Sequence, residues 1–435
     1  MRNTNSSLSS FRDCQPNEIE LVGVVDELKP VNGLTNAHRP GLETWTCAWS
    51  EDNLYFAWSC GDKFVRLVPW DKPNGRLCKR ARQYSNDSTQ GERVNIIIED
   101  VEEEEEGDQE ENPQRPIYLL DCKEHVWSVA FGASQSLQDN TQSWKRLKSN
   151  SCTLLATGLH SGRIKLWDCS TGNLLIELLD HKDVVRGISF AQDGSLLMAS
   201  AARDGTVKLW DLKDDGNMYC TLRTGAKWNN SCKWSHDCKY LAAVGSNKMA
   251  VIWKMDETNK SRQLRGHFHD IQSCDFSPDS ALFATACYDT RVIIWDPYTG
   301  DMLLELGHLY PPPRPIFAGG ANDHYVRSVS FSKDGLHVCS VADDGYLRVW
   351  DLEDSCDPQY IAEHQNALCC SFSPQDHRIS VGNRTGGVVF YAMPRCVPAL
   401  QQLCRVTIRK QVISTKVDHL HLPVRLKEFL KYHDL

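Results

Sequence analysis

Two pairs of residues have the types and spacing that acid–base chemistry uses. A histidine precedes an aspartate by 23 residues at His181 and Asp204, and by 22 residues at His267 and Asp289. A carboxylate that orients an imidazole is the arrangement of a general base, so the pairs could serve catalysis. The alternative is structural, since buried polar groups are normally hydrogen-bonded within the fold. Because each pair recurs at the same place in a sequence repeat, the structural role is favoured.

The eighteen cysteines do not follow a metal-binding pattern. None forms a C-x-x-C pair, and the spaced pair Cys232 and Cys238 is not followed by two histidines, so a zinc or redox site has little support. Others, such as Cys274 and Cys370, stand beside apolar residues in strand-like segments, and we interpret them as reduced, buried small hydrophobes. The sequence therefore predicts no catalytic residue, no metal and no cofactor.

These residues belong to a strand motif that ends in Trp-Asp or a near relative. Successive anchors are separated by 97, 43, 43, 42, 55 and 41 residues, and the commonest spacing is that of a WD repeat, in which each copy forms one four-stranded propeller blade. The two long spacings are one repeat plus an insertion. Seven anchors predict an all-β, seven-bladed propeller. They are Trp70, Trp167, Trp210, Trp253, Trp295, Trp350 and Tyr391.

A second aromatic position precedes the anchors and ends a strand in which apolar and polar residues alternate. In the two repeats that contain the His/Asp pairs, the histidine stands nine residues before this aromatic and the aspartate stands six residues before the Trp anchor. In these residues the chain resembles the WD-repeat family, which implies that His, Asp and Trp lock each blade through hydrogen bonds. The aromatic positions are Trp49, Phe131, Phe190, Trp234, Phe276, Phe331 and Phe372.

The ring needs one more strand to close. No outer strand follows Tyr391, whereas the strand-like segment 19–28 precedes the first inner strand. We expect this segment to complete the last blade, because an open ring would leave an exposed edge. The predicted propeller spans residues 19–395, after a disordered N-terminus over residues 1–18.

Three insertions interrupt the repeats. In a propeller, the connections from the fourth strand to the next blade, and from the second strand to the third, lie on one face, called here the upper face. Residues 71–116, which include the acidic run Glu99–Glu111, are predicted to be a disordered insertion between the third and fourth strands of blade one, on the lower face. Residues 132–151 also extend the lower face. The Pro-rich segment 307–324 extends the upper face.

Charge and composition narrow the classes of partner. The chain has 435 residues and a formal net charge of −9, and without the acidic run the remainder carries +1. This leaves no basic footprint for nucleic acid. No apolar stretch approaches the ~18 residues of a membrane span, and the polar first residues lack the apolar core of a secretory signal. We therefore expect an intracellular protein, cytoplasmic or nuclear, that binds neither nucleic acid nor membrane.

The periodicity changes from two to that of a helix after Tyr391. Apolar residues Leu400, Leu403, Cys404 and Ile408 form one stripe of a predicted helix, and a second short helix follows near the C-terminus. Two such helices are too small to fold alone, so the stripe must pack against something. From these residues alone, the underside of the propeller and a partner protein are equally good candidates.

Specific residues of this segment, predicted to form a domain over residues 396–435, resemble a known motif. The spacing Leu400-x-x-x-Cys404-x-x-x-Ile408 resembles the elongin-binding box of the SOCS-box family. The resemblance implies that the stripe Leu400, Leu403, Cys404 and Ile408 binds elongin. Ala399 stands where the family usually has Ser, Thr or Pro.

A second part of the motif follows. Leu422, Pro423 and Val424 resemble the cullin box, which implies that they bind a cullin, although Arg425 stands where the family has a second proline. A seven-bladed WD ring followed by this box resembles the WD-repeat and SOCS-box-containing proteins. The resemblance implies a non-catalytic substrate-recognition subunit of an elongin B/C, cullin-5 and RING ubiquitin ligase. Two alternatives are a WD-repeat scaffold without a ligase role and an enzyme that uses the central channel.

The target protein is expected to bind at the upper mouth of the channel. One position, four residues before each inner-strand aromatic, opens onto this mouth, and three further residues stand beside it. Trp, Tyr and Arg, which dominate binding hot spots, are frequent among them, although the tryptophans could instead cap the core. The predicted substrate-binding residues are Trp45, Trp127, Arg186, Arg203, Asn230, Gln272, Tyr288, Arg327, Asp343 and Leu368. Arg186 and Arg327 are expected to be dispensable for blade packing.

Overall fold

Alternating apolar and polar residues around each Trp anchor form antiparallel strands, and these strands assemble into seven sheets around a central channel. The computed structural model describes residues 20–21, 24–28, 43–60, 63–71, 76–77, 117–133, 153–214, 216–257, 260–308, 325–352, 357–375, 378–393 and 399–433. The predicted seven-bladed β-propeller with a small helical C-terminal segment is confirmed.

The first half of the chain contributes three blades. Before the ring come β1 (Glu20–Leu21) and β2 (Val24–Leu28). Blade one contains β3 (Cys47–Trp49), β4 (Tyr55–Ser59), β5 (Phe64–Asp71), β6 (Arg76–Leu77) and β7 (Tyr118–Asp121). Blade two contains β8 (Val126–Ala133), β9 (Thr153–Leu159), β10 (Ile164–Asp168) and β11 (Leu174–Leu178). Blade three contains β12 (Val185–Phe190), β13 (Leu197–Ala202), β14 (Thr206–Asp211) and β15 (Asn217–Arg223).

The second half contributes four blades and the helices. Blade four contains β16 (Asn229–Trp234), β17 (Tyr240–Gly245), β18 (Met249–Lys254), a 3-10 turn (Met255–Glu257) and β19 (Ser261–Arg265). Blade five contains β20 (Ile271–Phe276), β21 (Phe283–Cys287), β22 (Arg291–Trp295) and β23 (Met302–Gly307). Blade six contains β24 (Val326–Phe331), β25 (His337–Ala342), β26 (Tyr346–Asp351) and β27 (Tyr360–Glu363). Blade seven contains β28 (Ala367–Phe372), β29 (Arg378–Asn383) and β30 (Val388–Ala392), and the helices are α1 (Leu400–Arg409), α2 (Ser414–Val417) and α3 (Val424–Leu430).

The hydrophobic core consists of seven apolar layers, one at each contact between neighbouring blades. Each anchor lies on the third strand of its blade and packs into such a layer. Trp210 of β14, for example, is 1% exposed and contacts a cluster that also contains Leu154 and Leu166 of blade two. Because each layer needs residues from two blades, the blades support one another all around the ring.

Closure of the ring is confirmed. Strand β2 pairs antiparallel with β30 and becomes the outer strand of blade seven, with Val24 opposite Tyr391 and Leu28 opposite Val388. The predicted single strand over residues 19–28 is in fact two strands, because β1 pairs in parallel with β27 of blade six. The N-terminal segment therefore joins two neighbouring blades.

The three insertions lie between the predicted strands. Strand β7 pairs with β5, so the acidic insertion connects the third and fourth strands of blade one, and the short β6 pairs with the end of β5. Strand β8 continues to Ala133, so residues 134–152 rather than the predicted 132–151 connect it to β9. Strand β23 ends at Gly307, so residues 308–325 connect it to β24. Residues 1–19, 78–116, 134–152 and 309–324 lie outside the described residues, and they include residues 1–18 and most of the 71–116 insertion predicted to be disordered. Within that insertion, Asp71 and residues 76–77 belong to β5 and β6 instead.

Deletion of Glu99–Glu111 is expected to leave the thermal midpoint of unfolding unchanged. The run contains ten acidic residues and only one apolar residue, so it has little apolar surface to bury in any of the seven layers. Differential scanning calorimetry of the full chain and of the deletion variant tests this. A large fall in the midpoint would show that the run is docked on the ring.

The His/Asp pairs lock the blades, as the structural interpretation predicts. His181 Nδ1 lies 2.8 Å from Asp204 Oδ2, and its Nε2 lies 2.7 Å from Ser200 Oγ, which also accepts a hydrogen bond from Trp210 Nε1 at 2.8 Å. These contacts connect the segment that leads into β12 to β13, β14 and the turn between them. The side chain of His181 and the whole of Ser200 are buried, so a substrate in solvent does not reach this histidine.

A third histidine of this kind escaped the sequence analysis. His308 Nε2 lies 2.8 Å from Ser340 Oγ, which accepts from Trp350 Nε1 at 2.9 Å, so His308 locks blade six. It precedes Phe331 by 23 residues rather than nine, because the Pro-rich segment stands between them. In this blade the turn aspartate, Asp344, pairs with the buried Arg348 at 2.6 Å.

Candidate functional site

Helix α1 exposes its apolar stripe and buries its polar side. Leu400 is 77% exposed, Leu403 46% and Ile408 37%, and Cys404 is also exposed. The side chains of Gln402, Arg405 and Arg409, on the opposite side of the helix, are buried. The alternative in which the stripe packs against the underside of the propeller is therefore wrong.

Two arginines make burial of this polar side possible. The guanidinium carbon of Arg405 lies 3.5 Å from the ring centroid of Phe429 and 4.6 Å from that of Tyr432, so the cation stacks on aromatic faces contributed by α3 and the turn after it. Arg409 donates from Nη2 to Ser414 Oγ at 2.7 Å and from Nη1 to the Val412 carbonyl at 2.9 Å. These contacts hold the C-terminal helices together as one unit.

The C-terminal unit contains three helices rather than the two predicted from the sequence. The additional helix, α2, is only one turn long, so its sequence is too short to show a helical periodicity. It is anchored by the buried Val417. Val417 packs with Phe429 and Leu430, and Leu422 packs against this cluster. Pro423 is exposed and Val424 is 73% exposed, so the predicted cullin-binding residues combine one partly buried anchor with two accessible side chains.

The unit docks on the lower face beneath blades five and six. Tyr432 donates from its hydroxyl to Asp279 Oδ2 at 2.8 Å, in the connection between β20 and β21. Its ring joins the apolar layer that contains Trp350 and Leu352 of blade six. Arg409 lies 5.7 Å from the ring of Tyr298, in the connection between β22 and β23. All of these connections lie on the lower face, so the apolar stripe of α1 points away from the upper mouth.

Tyr432→Phe is expected to loosen the docked unit. The variant loses a buried hydrogen bond to a carboxylate, which is worth about 2 kcal/mol, and the aromatic stack with Arg405 remains. Hydrogen exchange in α3 should become faster while exchange in the strands stays unchanged. Tyr219→Phe is the matched control, because Tyr219 is 49% exposed. Unchanged exchange in α3 would show that Tyr432 is not the anchor.

At the opposite end of the channel, the seven inner-strand positions come together. They line one cavity of about 560 Å³ that runs along the channel. Its lining includes Trp45, Trp127, Arg186, Asn230, Gln272, Arg327 and Leu368. Arg203, Tyr288 and Asp343 lie beside them and contact their side chains.

Four of these residues and two neighbours form an arginine–tryptophan cluster, defined as Trp45, Trp127, Arg186, Arg203, Lys227 and Trp228. The rings of Trp45 and Trp127 are 4.6 Å apart, and the guanidinium carbon of Arg186 lies 4.6 Å from the Trp127 ring and 5.6 Å from the Trp45 ring. Arg203 lies 5.8 Å from the Trp127 ring and 5.5 Å from the Trp228 ring. Lys227 Nζ lies 4.7 Å from the Trp228 ring.

Lys227 and Trp228 were not predicted as site residues. They stand in the connection into blade four, outside the inner-strand position used for the prediction, and Trp228 is 39% exposed. Consecutive cationic and aromatic side chains in an upper-face connection are the signal that could have identified them.

Arg327 is engaged within the fold, contrary to the expectation that it is dispensable for packing. It donates from Nε to the two carboxylate oxygens of Asp343 at 2.9 and 3.0 Å and from Nη1 to the Tyr288 hydroxyl. Blades five and six are thereby linked across the mouth. Two other predicted residues have little free surface: Leu368 is buried, and Asn230 donates to the Ile271 carbonyl at 2.9 Å.

Blade five also contains a trio of metal-binding residue types. One ligand atom of each of His267, Cys287 and Asp289 lies within 4.8 Å of the others. However, His267 is hydrogen-bonded through both ring nitrogens, to Asp289 at 2.9 Å and to Thr285 at 2.7 Å. Asp289 also pairs with Arg291 at 2.9 Å. These contacts explain His267 and Asp289 as part of a structural hydrogen-bond network of the kind seen at His181 in blade three.

Within the described ranges, no helix is both long enough and apolar enough to cross a membrane. The longest of the three C-terminal helices, α1, has ten residues.

Comparisons with known proteins agree with this architecture. The family model described as "SOCS box" matches residues 396–431, and "WD domain, G-beta repeat" matches residues 172–211, 258–296 and 316–351. Human "WD repeat and SOCS box-containing protein 1" is 47% identical over 398 residues, covering 90% of this chain and 92% of that protein. The Danio rerio protein of the same name is 44% identical over 440 residues, covering 98% of this chain and 100% of that protein.

A more distant relative matches about half of the chain. "Nuclear distribution protein nudF" of Aspergillus niger is 26% identical over 224 residues, covering 46% of this chain and 47% of that protein. The similarity to the human and Danio rerio proteins, both named "WD repeat and SOCS box-containing protein 1", instead extends over nearly the whole chain. The chain belongs to the WD repeat and SOCS box-containing protein family.

Proposed function

We propose that this chain is the substrate-recognition subunit of an elongin B/C–cullin-5 ubiquitin ligase. In this proposal the propeller binds the target protein and the C-terminal helices bind the ligase core. The observation that carries the proposal is the orientation of α1, whose apolar stripe is exposed while Arg405 and Arg409 are buried. A helix that served only to cover the propeller would bury its apolar side instead.

The stripe has the chemistry of a partner-binding helix. Leu400, Cys404 and Ile408 recur at four-residue intervals and so project from one side of α1. An amphipathic helix of this kind binds by placing its apolar side in a hydrophobic groove. We propose that elongin C supplies that groove.

The cullin contact is proposed at the start of α3. Pro423 and Val424 are exposed beside the partly buried Leu422, and Leu426 is 47% exposed one turn further along. These side chains are a second group of accessible apolar residues in the C-terminal unit. Arg425 is exposed as well, and it places a charge where the family has proline.

The chain's contribution to the reaction is positional. Docking of the helices on the lower face leaves the upper mouth free, so one molecule can hold the target and the ligase core at once. Holding a target lysine near a charged ubiquitin-conjugating enzyme raises its effective concentration and thereby the rate of transfer. The transferring cysteine and the zinc-bound RING domain belong to other subunits in this proposal.

Co-purification tests the proposal. The tagged full chain should capture elongin B/C and cullin-5 from cells in stoichiometric amounts, and the reconstituted complex should transfer ubiquitin to a bound target. A chain that captures target proteins but no elongin would instead be a WD-repeat scaffold without a ligase role.

A further inference from the structure

The arginine–tryptophan cluster presents cations that lack acidic partners. Among the described residues, no carboxylate lies within ion-pairing distance of Arg186, Arg203 or Lys227, whereas Arg327 on the same mouth is neutralised by Asp343 at 2.5 Å. Arg203 Nε is buried and has no hydrogen-bond acceptor in the described part of the chain. A buried donor without an acceptor costs free energy that a bound anion would recover.

The nearby acidic side chains are already occupied. Asp204, next to Arg203 in sequence, accepts hydrogen bonds from Thr206 at 2.6 Å and from the Lys182 amide at 3.1 Å, and it also contacts His181. Asp183 accepts from the Val184 amide at 2.7 Å. Neither carboxylate neutralises the cluster.

The charges around Arg186 favour binding of an anion. Burial, together with the positive charges of Arg203 and Arg327, lowers the pKa of Arg186 to about 10. Partly buried cations repel one another, and an anion bound between them would stabilise their charged forms.

The aromatic rings indicate which side chains accompany that anion. The faces of Trp45 and Trp127 are covered by Arg186, so the cluster is not an open aromatic cage for a ligand cation. Trp228, in contrast, is 39% exposed at the edge of the cluster and offers an apolar surface. A ligand that fits carries negative charge beside apolar or aromatic side chains.

We propose that the arginine–tryptophan cluster binds an acidic peptide segment of the target, with carboxylates on Arg186 and Arg203 and an apolar side chain on Trp228. This inference rests on the proposed function, because it names the class of target that the propeller recruits. Guanidinium groups suit carboxylates, which they can bind through two parallel hydrogen bonds. Trp and Arg are also the residues in which interface energy concentrates.

Peptide selection tests the inference. The tagged full chain, purified without added elongin B/C, is used to select from a phage-displayed library of random 12-residue peptides, and the most enriched peptide is synthesised with a fluorescein label. We expect the enriched peptides to be rich in Asp and Glu beside Trp, Tyr or Phe. Affinity for the labelled peptide should fall at high salt, because salt screens the charge interactions.

Variants locate the site. Arg186→Gln with Arg203→Gln is expected to weaken peptide binding at least about tenfold. Arg203→Gln with Lys227→Gln keeps the Arg186 stack and should also weaken binding, with an unchanged thermal midpoint. Arg384→Gln is the matched control, since it removes a cation from the same face that already lies 3.4 Å from Asp343. It should change affinity by less than about twofold.

Several outcomes would overturn the inference. These are an absence of enriched peptides, enrichment of neutral or basic peptides, equal binding by the cluster variants, or tighter binding of a labelled oligo-dT than of any acidic peptide. Elongin B/C capture is measured on the same preparations. Loss of capture with intact acidic-peptide binding would contradict the ligase role and support the site, whereas intact capture without peptide binding would contradict the site alone.

Discussion

Leu400→Asp combined with Cys404→Asp is expected to abolish capture of elongin B/C by the full chain. The two side chains lie one helical turn apart on the exposed stripe of α1. In a complex they would be buried in an apolar groove, where an unpaired carboxylate costs several kcal/mol. A loss of about 3 kcal/mol alone weakens binding by more than about a hundredfold.

The same double variant should leave the propeller folded, because neither side chain contacts the ring in the free chain. Thermal unfolding and circular dichroism check this directly. Thr415→Asp is the matched control, since it adds a charge at an exposed position of the C-terminal unit outside the stripe. Undiminished capture by the double variant would refute the ligase assignment.

Asp289→Asn is expected to destabilise the ring strongly. The carboxylate accepts hydrogen bonds from His267, from the Phe268 amide at 2.9 Å and from Arg291 at 2.9 Å. Removing a charge that is paired in a buried position costs about 3 kcal/mol. Calorimetry should show a clear fall in the thermal midpoint, whereas Asp301→Asn, at an exposed position, should show none.

The effect of Asp289→Asn should depend on pH in a defined direction. Burial alone would raise the pKa of Asp289, but the hydrogen bond and charge of His267 hold it well below its ordinary value. A lowered pKa in the folded state stabilises the fold at pH values above the unfolded pKa of about 4. This contribution disappears as the pH falls toward the folded value. The difference in unfolding free energy between the wild-type chain and Asp289→Asn should therefore become smaller below about pH 4. A difference that does not change with pH would contradict a stabilising role for the charged Asp289 carboxylate.

Repetition made most of the ring predictable. The Trp anchors and Tyr391 place the third strand of every blade, and the absence of an outer strand after Tyr391 predicted the closing role of the N-terminal segment, which β2 fulfils. His308 was missed because its position relative to Phe331 is altered by the Pro-rich segment. Local spacing is informative only while no insertion stands between the partners.

The partner of a side chain was harder to predict from the sequence than the place of that residue in the fold. The inner-strand rule placed Arg186 and Arg327 correctly on the channel, but it did not show that Asp343 neutralises one of them and no described carboxylate neutralises the other. In the same way, the stripe of α1 was predicted, whereas burial of Arg405 depends on Phe429, 24 residues later in the chain. Such contacts depend on how whole elements pack, which a short window of sequence does not contain.

The closing pair of strands also sets the order in which the protein can mature during translation. Roughly 370 residues separate Val24 from its partner Tyr391, which at ribosomal rates of ~5–20 residues per second corresponds to about 20–70 s. Throughout that interval β2 has no partner from blade seven, and the nascent ring has an unpaired edge. Helix α1 begins only a few residues after β30. The residues that complete the ring and the exposed stripe of α1 are therefore synthesised almost together, so we expect newly made chains to present the proposed elongin contact only at about the time when the ring can close.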